Sequence, residues 1–359
     1  MFLQSIQCEA PPASFTQEDC LAILRESERF HRLKDRSKHL LAKILAGPGG
    51  IEKRHFAMPE VERLFDLDAA ELNRGFEREA PRLAAGALEG AMRKAGVSPA
   101  EVDALLVCTC TGYLCPGVSS HVAERLGLRP DVFLSDLVGL GCGAAIPMLR
   151  QAESFARADP EATIACVAVE VCSAAFYLDD DPGVLVSLCL FGDGAAATLW
   201  RGRDRSPEGD GVRCGGFDTL HVPEDRHLLR FENEGGKLRN RLHRSVPERA
   251  AAAVRELYDR RRKGDGDGTE EVVSHAGGRD VLDAVAGALG RGDLPESREV
   301  LRDYGNMSSP SVLFALDRFL AGKNGGPMSV WASSFGAGFS CHSCRFDRPA
   351  DGPTPPGTV

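Results

Sequence analysis

Three residues in this sequence could together do acyl-transfer chemistry. Cys142 lies in DVFLSDLVGLGCGAAIPMLR (131–150), where an apolar run ends at Gly139 and Gly141 and a small-residue helix begins. A thiol at the turn between a strand and a helix meets free backbone amides and the positive end of the helix dipole, which favour a thiolate. His275 lies in VVSHAGGRDVL (272–282), at the end of a short apolar strand with Gly277 and Gly278 opening a helix. Asn306 lies in LRDYGNMSSPSVLFALDRF (301–319), in a loop before a long apolar helix. Taken singly, each has a structural reading: a core cysteine in a tight turn, a hydrogen-bonded histidine, an asparagine capping a turn. Taken together, they suit thioester chemistry. A thiolate attacks an acyl thioester, an imidazole supports the thiolate, and two donors hold an oxyanion or enolate.

The surrounding pattern predicts elements that can carry such junctions. Residues 1–50 read as mainly helical, with Thr16 as an N-cap before QEDCLAILRESERF. Helical spacing runs over 69–95, 118–127, 246–262, 279–289 and 311–321, and buried strands are expected at 102–108, 132–137, 163–169 and 272–274. LFGDGAAATLW (190–200) turns on glycines into a further strand, FYLDDDPG is read as a loop, and 328–334 and 338–346 as paired strands. Strands alternating with helices, with ligand chemistry at strand ends, mark a layered α/β architecture. The polar stretch 201–211 is the expected boundary between halves, GDGDGTEE (264–271) a solvated turn, and the Pro- and Gly-rich tail from 347 a disordered end.

Composition narrows the classes. At 359 residues the chain exceeds a single core, so two domains or fused half-domains are expected. A net charge of −9 argues against nonspecific nucleic-acid or anionic-membrane binding. No apolar run reaches membrane-span length and MFLQSIQCEA lacks signal-peptide character, so a cytoplasmic protein is expected. Twelve cysteines spread through apolar strands are expected to be reduced thiols. Cys341-His342-Ser343-Cys344 offers one CxxC pair where zinc needs four ligands, so a structural strand is the expectation and no metal is assigned. Lys34, Arg36, Lys38 and Lys43 make the N-terminal region locally basic.

In GLGCGAAIPMLR, EVCSA, LFGDGAAA, HAGGRDVL, YGNMSSPSVLF and FGAGF, in that order and spacing over nearly the whole chain, the sequence resembles the type III polyketide synthases, the chalcone and stilbene synthase family. YGNMSS with an upstream HxGG and LFGDGAAA separates that family from initiating ketoacyl-ACP synthases and acyl-CoA thiolases. The resemblance implies a thiolase-like five-layer αβαβα fold from two similar halves, residues 1–203 carrying the nucleophile and 204–346 carrying His and Asn. It implies Cys142 as acyl acceptor, His275 holding its thiolate, and His275 with Asn306 binding the thioester carbonyl while malonyl-CoA loses carbon dioxide. Phe191 would be an aromatic gate, and Cys110, Thr111, Cys115 and Cys172 would line the acyl pocket, Cys115 at the site that reaches a partner subunit's cavity. Cations among Lys38, Lys43 and Arg54 would meet CoA. Acyl-CoA and malonyl-CoA would be substrates, the assembly a homodimer, and no cofactor beyond CoA thioesters needed.

The sequence also departs from the plant pattern. HAGG and FGAG replace HPGG and FGPG, Asn240 stands in place of a second gating Phe, and 171–191 is short. These changes fit a bacterial-type synthase, with alkylpyrone or alkylresorcinol chemistry on fatty acyl starters as the expectation. Two alternatives stand beside it: an initiating ketoacyl-ACP synthase that condenses once, and a catalytically silent acyl-CoA-binding dimer.

Overall fold

The computed structural model describes residues 1–205, 211–262, 270–323 and 326–349. Residues 206–210 of the expected boundary, most of the acidic turn and the tail from 350 lie outside the described residues. The first part of the chain runs β1 (Phe2–Glu9), β2 (Ser14–Thr16), α1 (Gln17–Glu26), α2 (Glu28–His31), α3 (Asp35–Leu45), β3 (Lys53–His55) and α4 (Ala69–Ala95). It continues through β4 (Ala104–Cys108), α5 (Val118–Leu126), β5 (Phe133–Leu137), α6 (Ala145–Ala158), β6 (Ile164–Glu170), α7 (Pro182–Leu190) and β7 (Gly194–Arg201). The second part runs β8 (Arg213–His221), β9 (Leu229–Glu234), β10 (Lys237–Leu242), α8 (Val246–Arg262), β11 (Glu271–Ser274) and α9 (Arg279–Leu289). It ends with α10 (Pro295–Tyr304), α11 (Ser311–Ala321), β12 (Met328–Gly336) and β13 (Ser340–Arg348).

Local signals explain several of these elements. Thr16 and Asp68 each close a reciprocal capping box with the third helical residue, satisfying amides that α1 and α4 would otherwise leave free. Gly235 and Gly236, both at positive φ, form the two-residue turn that joins β9 to β10. Nine strands follow the order β11-β12-β13-β8-β1-β7-β6-β4-β5. The order repeats. From β1 outward the chain places β7 antiparallel to β1, β6 antiparallel to β7 and β4 parallel to β6. From β8 outward it places β13, β12 and β11 in the same senses.

Helices α4 and α5 cover one face of the first set, α8 and α9 pack over the second, and α6 and α11 lie between, touching strands of both sets. The result is the layered α/β arrangement of two similar halves. Alternation along β4 and β6 divides the core accordingly. Leu105, Val107, Ala165 and Val167 join the cluster under α4, whereas Ala104, Leu106, Ile164 and Cys166 face the central helices. Each such buried aliphatic side chain contributes on the order of 1–3 kcal/mol, so the central helices are fixed strongly.

Three expectations fail here. Residues 2–9 form strand β1 in the middle of the sheet, not helix, because their partner β7 is nearly 200 residues away and leaves no local signal. Residues 133–137 form an edge strand paired only to β4, with Phe133 49% exposed, so the apolar run there is not a buried strand. The loop reading of FYLDDDPG (176–183) holds only as far as Asp181, because α7 begins inside it, with Asp181 as N-cap and Pro182 in the first turn.

Candidate active site

The repeat puts the chemistry at matching places. Cys142 precedes α6 in the first half, and Asn306 precedes α11 in the second. Cys110 and Thr111 follow β4, and His275 follows β11. These four chain ends converge where the two halves meet.

Cys142 sits in the single turn Gly141–Gly143 and is buried. The end of β12 closes against this turn. A Cβ at Gly336 would stand 2.4 Å from the Leu140 carbonyl oxygen and 2.5 Å from the Gly143 nitrogen, so glycine is required for that approach. The Cys142 Sγ accepts a hydrogen bond from Ser308 Oγ at 3.3 Å, and Cys110 Sγ lies 3.2 Å from the same oxygen. The Ser308 amide donates to Asn306 Oδ1 at 2.8 Å, and Asn306 Nδ2 donates to the Gly277 carbonyl at 3.2 Å. Ser308 has φ +59°, a conformation that costs a non-glycine residue on the order of 1–3 kcal/mol and persists where the surroundings fix it.

His275 is buried, its amide donating to the Ser333 carbonyl and its ring meeting Phe335 edge-on at 5.2 Å. Its Nδ1 is buried with no partner. A second buried group braces this region. Glu170 Oε2 accepts from the amides of Cys110 and Thr111 and from the Thr109 and Thr111 hydroxyls, while Oε1 accepts from Ser309 Oγ at 2.6 Å. One carboxylate thus ties the loop after β4 to the loop before α11.

Burial sets the protonation of the pair. Desolvation pushes the Cys142 thiol up to about 12, with the Ser308 hydrogen bond offsetting only part, and holds His275 down to about 3. Burial thus opposes the thiolate that the turn favours. Each group by itself is neutral at pH 7.

A cavity adjoins this network, walled by Thr111, Cys172, Phe176, Phe191, Phe231 and Asn240 among others, with Ser308 at its inner end. Its volume is about 20 Å³, room for about one water molecule. Thr111, Cys172 and Phe191 thus line it, and Cys110 reaches it through Ser308. Cys115 does not line it; this thiol is exposed on the loop after β4.

The CoA-facing expectation divides. Lys43 is exposed on α3, and Lys38 is partly exposed, its Nζ donating to the His31 carbonyl at 3.0 Å. Arg54 is 2% exposed, with Nη1 donating to the carbonyls of Leu188 and Phe191 and Nε to Gln17 Oε1. It is not a surface cation for CoA. Its guanidinium caps the C-terminal end of α7 and holds the Phe191 backbone.

Sequence reasoning misses Ser308, Glu170 and Phe231 as site residues. Ser308 and Glu170 stand inside recognisable motifs, YGNMSS and the residue before VCSA, but a hydroxyl or carboxylate there carries no spacing signal of its own. Cys341 and Cys344 are buried along β13, and His342 is held by Thr219 and Ser340, as a structural strand requires. Among the described residues no group of three or more His, Cys, Asp or Glu side chains could hold a metal ion.

A family model described as FAE1/Type III polyketide synthase-like protein matches residues 2–208, and one for the C-terminal domain of chalcone and stilbene synthases matches 221–340. The chain is 30% identical over 328 residues to a 1,3,6,8-tetrahydroxynaphthalene synthase of Streptomyces peucetius subsp. caesius, covering 87% of this chain and 84% of the relative. It is 32% identical over 240 residues to a 3,5-dihydroxyphenylacetyl-CoA synthase of Amycolatopsis balhimycina, covering 65% of this chain and 64% of that relative, just under two thirds of its length. The crystal structure of PKS-I from the brown alga Ectocarpus siliculosus matches with a TM-score of 0.88 over 97% of this chain and 98% of that one at 22% identity, showing the same fold. Cys142, His275 and Asn306 thus stand in a fold and a sequence context that agree, and the chain belongs to the type III polyketide synthase family.

Proposed function

We propose that this chain takes an acyl group from CoA onto Cys142, extends it repeatedly with malonyl-CoA by decarboxylative Claisen condensation, and releases a cyclised pyrone or resorcinol-type polyketide. The observation that carries this reading is the bonded path from Cys142 Sγ through Ser308 to Asn306 and on to Gly277, two residues from His275.

In the first step His275 Nε2 takes the Cys142 proton and the sulfur attacks the acyl-CoA carbonyl. The C–S bond to CoA breaks, CoA leaves as a thiolate that takes a proton from water, and the imidazolium keeps the Cys142 proton on Nε2. Malonyl-CoA then loses carbon dioxide, and its electron pair passes to the enolate. That Nε2 proton of the imidazolium and the second Asn306 N–H, free because Gly277 uses only one, donate to the enolate oxygen. Enolate carbon attacks the Cys142 thioester, the new C–C bond forms, the thiolate leaves, and the extended chain, now a CoA thioester, reloads Cys142 by the first step. Covalent tethering makes each condensation an oriented, effectively intramolecular step. Electrons balance through carbon dioxide loss, so the cycle calls for no metal or redox cofactor.

The cavity favours a short starter over the fatty acyl chains expected from sequence, because Phe176, Phe191 and Phe231 leave room for only about one water molecule. The relatives named for a tetrahydroxynaphthalene and a dihydroxyphenylacetyl-CoA support a ring-closed product. A homodimer is part of the reading. Tyr113, Phe133 and Val138 are exposed at 76%, 49% and 48%, all beside the uncovered edge of β5 and the loop that carries Cys115. Twelve free thiols suit a reducing cytoplasm, and no helix among the described residues is long and apolar enough to cross a membrane.

The test is mass spectrometry of products from purified protein given malonyl-CoA and acyl-CoA starters of increasing length, run beside Cys142→Ala. Pyrones or resorcinols from short starters that vanish in the variant are expected. Condensation only on an acyl carrier protein, stopping after one step, would replace this reading with the initiating synthase.

A further inference from the structure

Asn240 sits on β10 directly across from Phe231 on β9, and both line the cavity beside Ser308. It is 6% exposed. Its orientation is fixed by a neighbour. Ser187 on α7 donates its single hydroxyl proton to the Gly183 carbonyl one turn earlier, at 2.7 Å. That oxygen can then only accept, so Asn240 must present Nδ2 to it, and does so at 2.9 Å. The Asn240 Oδ1 is left buried with no partner. A residue of the cavity wall therefore carries one buried hydrogen-bond acceptor that lacks a donor.

Resting on the synthase reading, the choice of donor follows from the chemistry of the chain. Ketone oxygens, the thioester oxygen and a malonyl carboxylate only accept hydrogen bonds. The one O–H that a poly-β-keto chain can offer is an enol, made when a proton leaves the carbon between two carbonyls and returns on oxygen. A C–H bond breaks, an O–H bond forms, and no other reactant is needed.

We propose that Asn240 is a specificity-determining residue whose Oδ1 accepts a hydrogen bond from the enol hydroxyl of the enzyme-bound β-keto chain. The contact holds that oxygen against the wall, away from the thioester carbonyl. Lactones form by attack of an enol oxygen on that carbonyl, and carbocycles by attack of the enol carbon. Holding the oxygen favours the carbocycle.

The experiment uses the full chain with acetyl-CoA and malonyl-CoA, and reads the ratio of lactone to carbocyclic products by liquid chromatography and mass spectrometry. The ratio does not depend on overall turnover. Asn240→Leu keeps the shape and removes the acceptor, and should raise the ratio roughly tenfold, the worth of one hydrogen bond. Ser187→Ala frees the amide to rotate and should move the ratio in the same direction by less. If thermal melting shows that Asn240→Leu does not fold, Ser187→Ala carries the test alone. An unchanged ratio in the folded variants, or a wild-type enzyme that makes only lactones, overturns the proposal while leaving the synthase reading intact. A wild-type enzyme that forms no condensation product at all overturns the synthase reading and the proposal with it.

Discussion

Replacing His275 by glutamine isolates the ionisation of Cys142. Burial lifts that thiol from its ordinary 9.0 to about 12, three powers of ten in ionisation, or about 4 kcal/mol. In the proposed mechanism the proton moves to His275, and the two opposite charges then offset a loss that neither could bear alone. The carboxamide of the His275→Gln variant offers no base, so the thiol must ionise by itself. Its thiolate share at pH 8 should fall to roughly one part in ten thousand. The assay is alkylation by iodoacetamide across the range of about pH 5.5 to 10.5, followed on the peptide that contains Cys142, since only the thiolate reacts. The wild type should react readily at neutral pH. In His275→Gln the rate at pH 8 should drop by roughly two to three powers of ten, and the inflexion should move above about pH 10. Equal rates and inflexions in the two proteins would refute the pairing, and with it the role given to the imidazole.

Further outcomes follow from the same geometry. Asn306→Ala removes one of two enolate donors and should slow release of labelled carbon dioxide from malonyl-CoA by roughly a hundredfold or more, while acyl loading on Cys142 persists. Arg54→Ala leaves the carbonyls of Leu188 and Phe191 without their donor, and should cost about 2–4 kcal/mol and lower Tm by several degrees in calorimetry. Lys38→Ala and Lys43→Ala should instead raise the malonyl-CoA KM with Tm unchanged. Phe231→Ala should open the cavity and extend the accepted starters, read as new products in a chain-length series.

The parts of the molecule legible in its sequence are those whose cause is local. Helix α4 announces itself by 27 residues of helical spacing between the Asp68 cap and Gly96 at positive φ. The turn at Cys142 is written in its glycines, and His275 and Asn306 in the junctions beside them. What stays hidden depends on partners far along the chain. Strand β1 is a strand because β7 lies beside it, and Phe133 is half exposed because, among the described residues, no strand pairs with β5 on the side away from β4. Arg54 reads in sequence as one more cation of a basic segment, and only the position of the α7 carbonyls shows it to be an internal brace. Ser308 and Glu170 are hidden for a different reason. Their work is to hold other groups, and serine and glutamate do that in many surroundings without a distinctive spacing.

The repeated strand order has a consequence for how such chemistry could arise. Cys142 and Asn306 occupy corresponding turns of the two halves, and the loops bearing Cys110 and His275 correspond as well. Two identical copies of one half, associated as separate chains, would place the same residue at both corresponding turns: two nucleophiles or two amides, never one of each. A condensation needs an electrophile held on one side and a carbanion generated on the other. Joining the halves in one polypeptide removes the requirement that they be alike, so that one turn could keep a thiol while its counterpart came to hold an amide. The asymmetry of the reaction is thus inscribed as a difference between two copies of a single architectural unit.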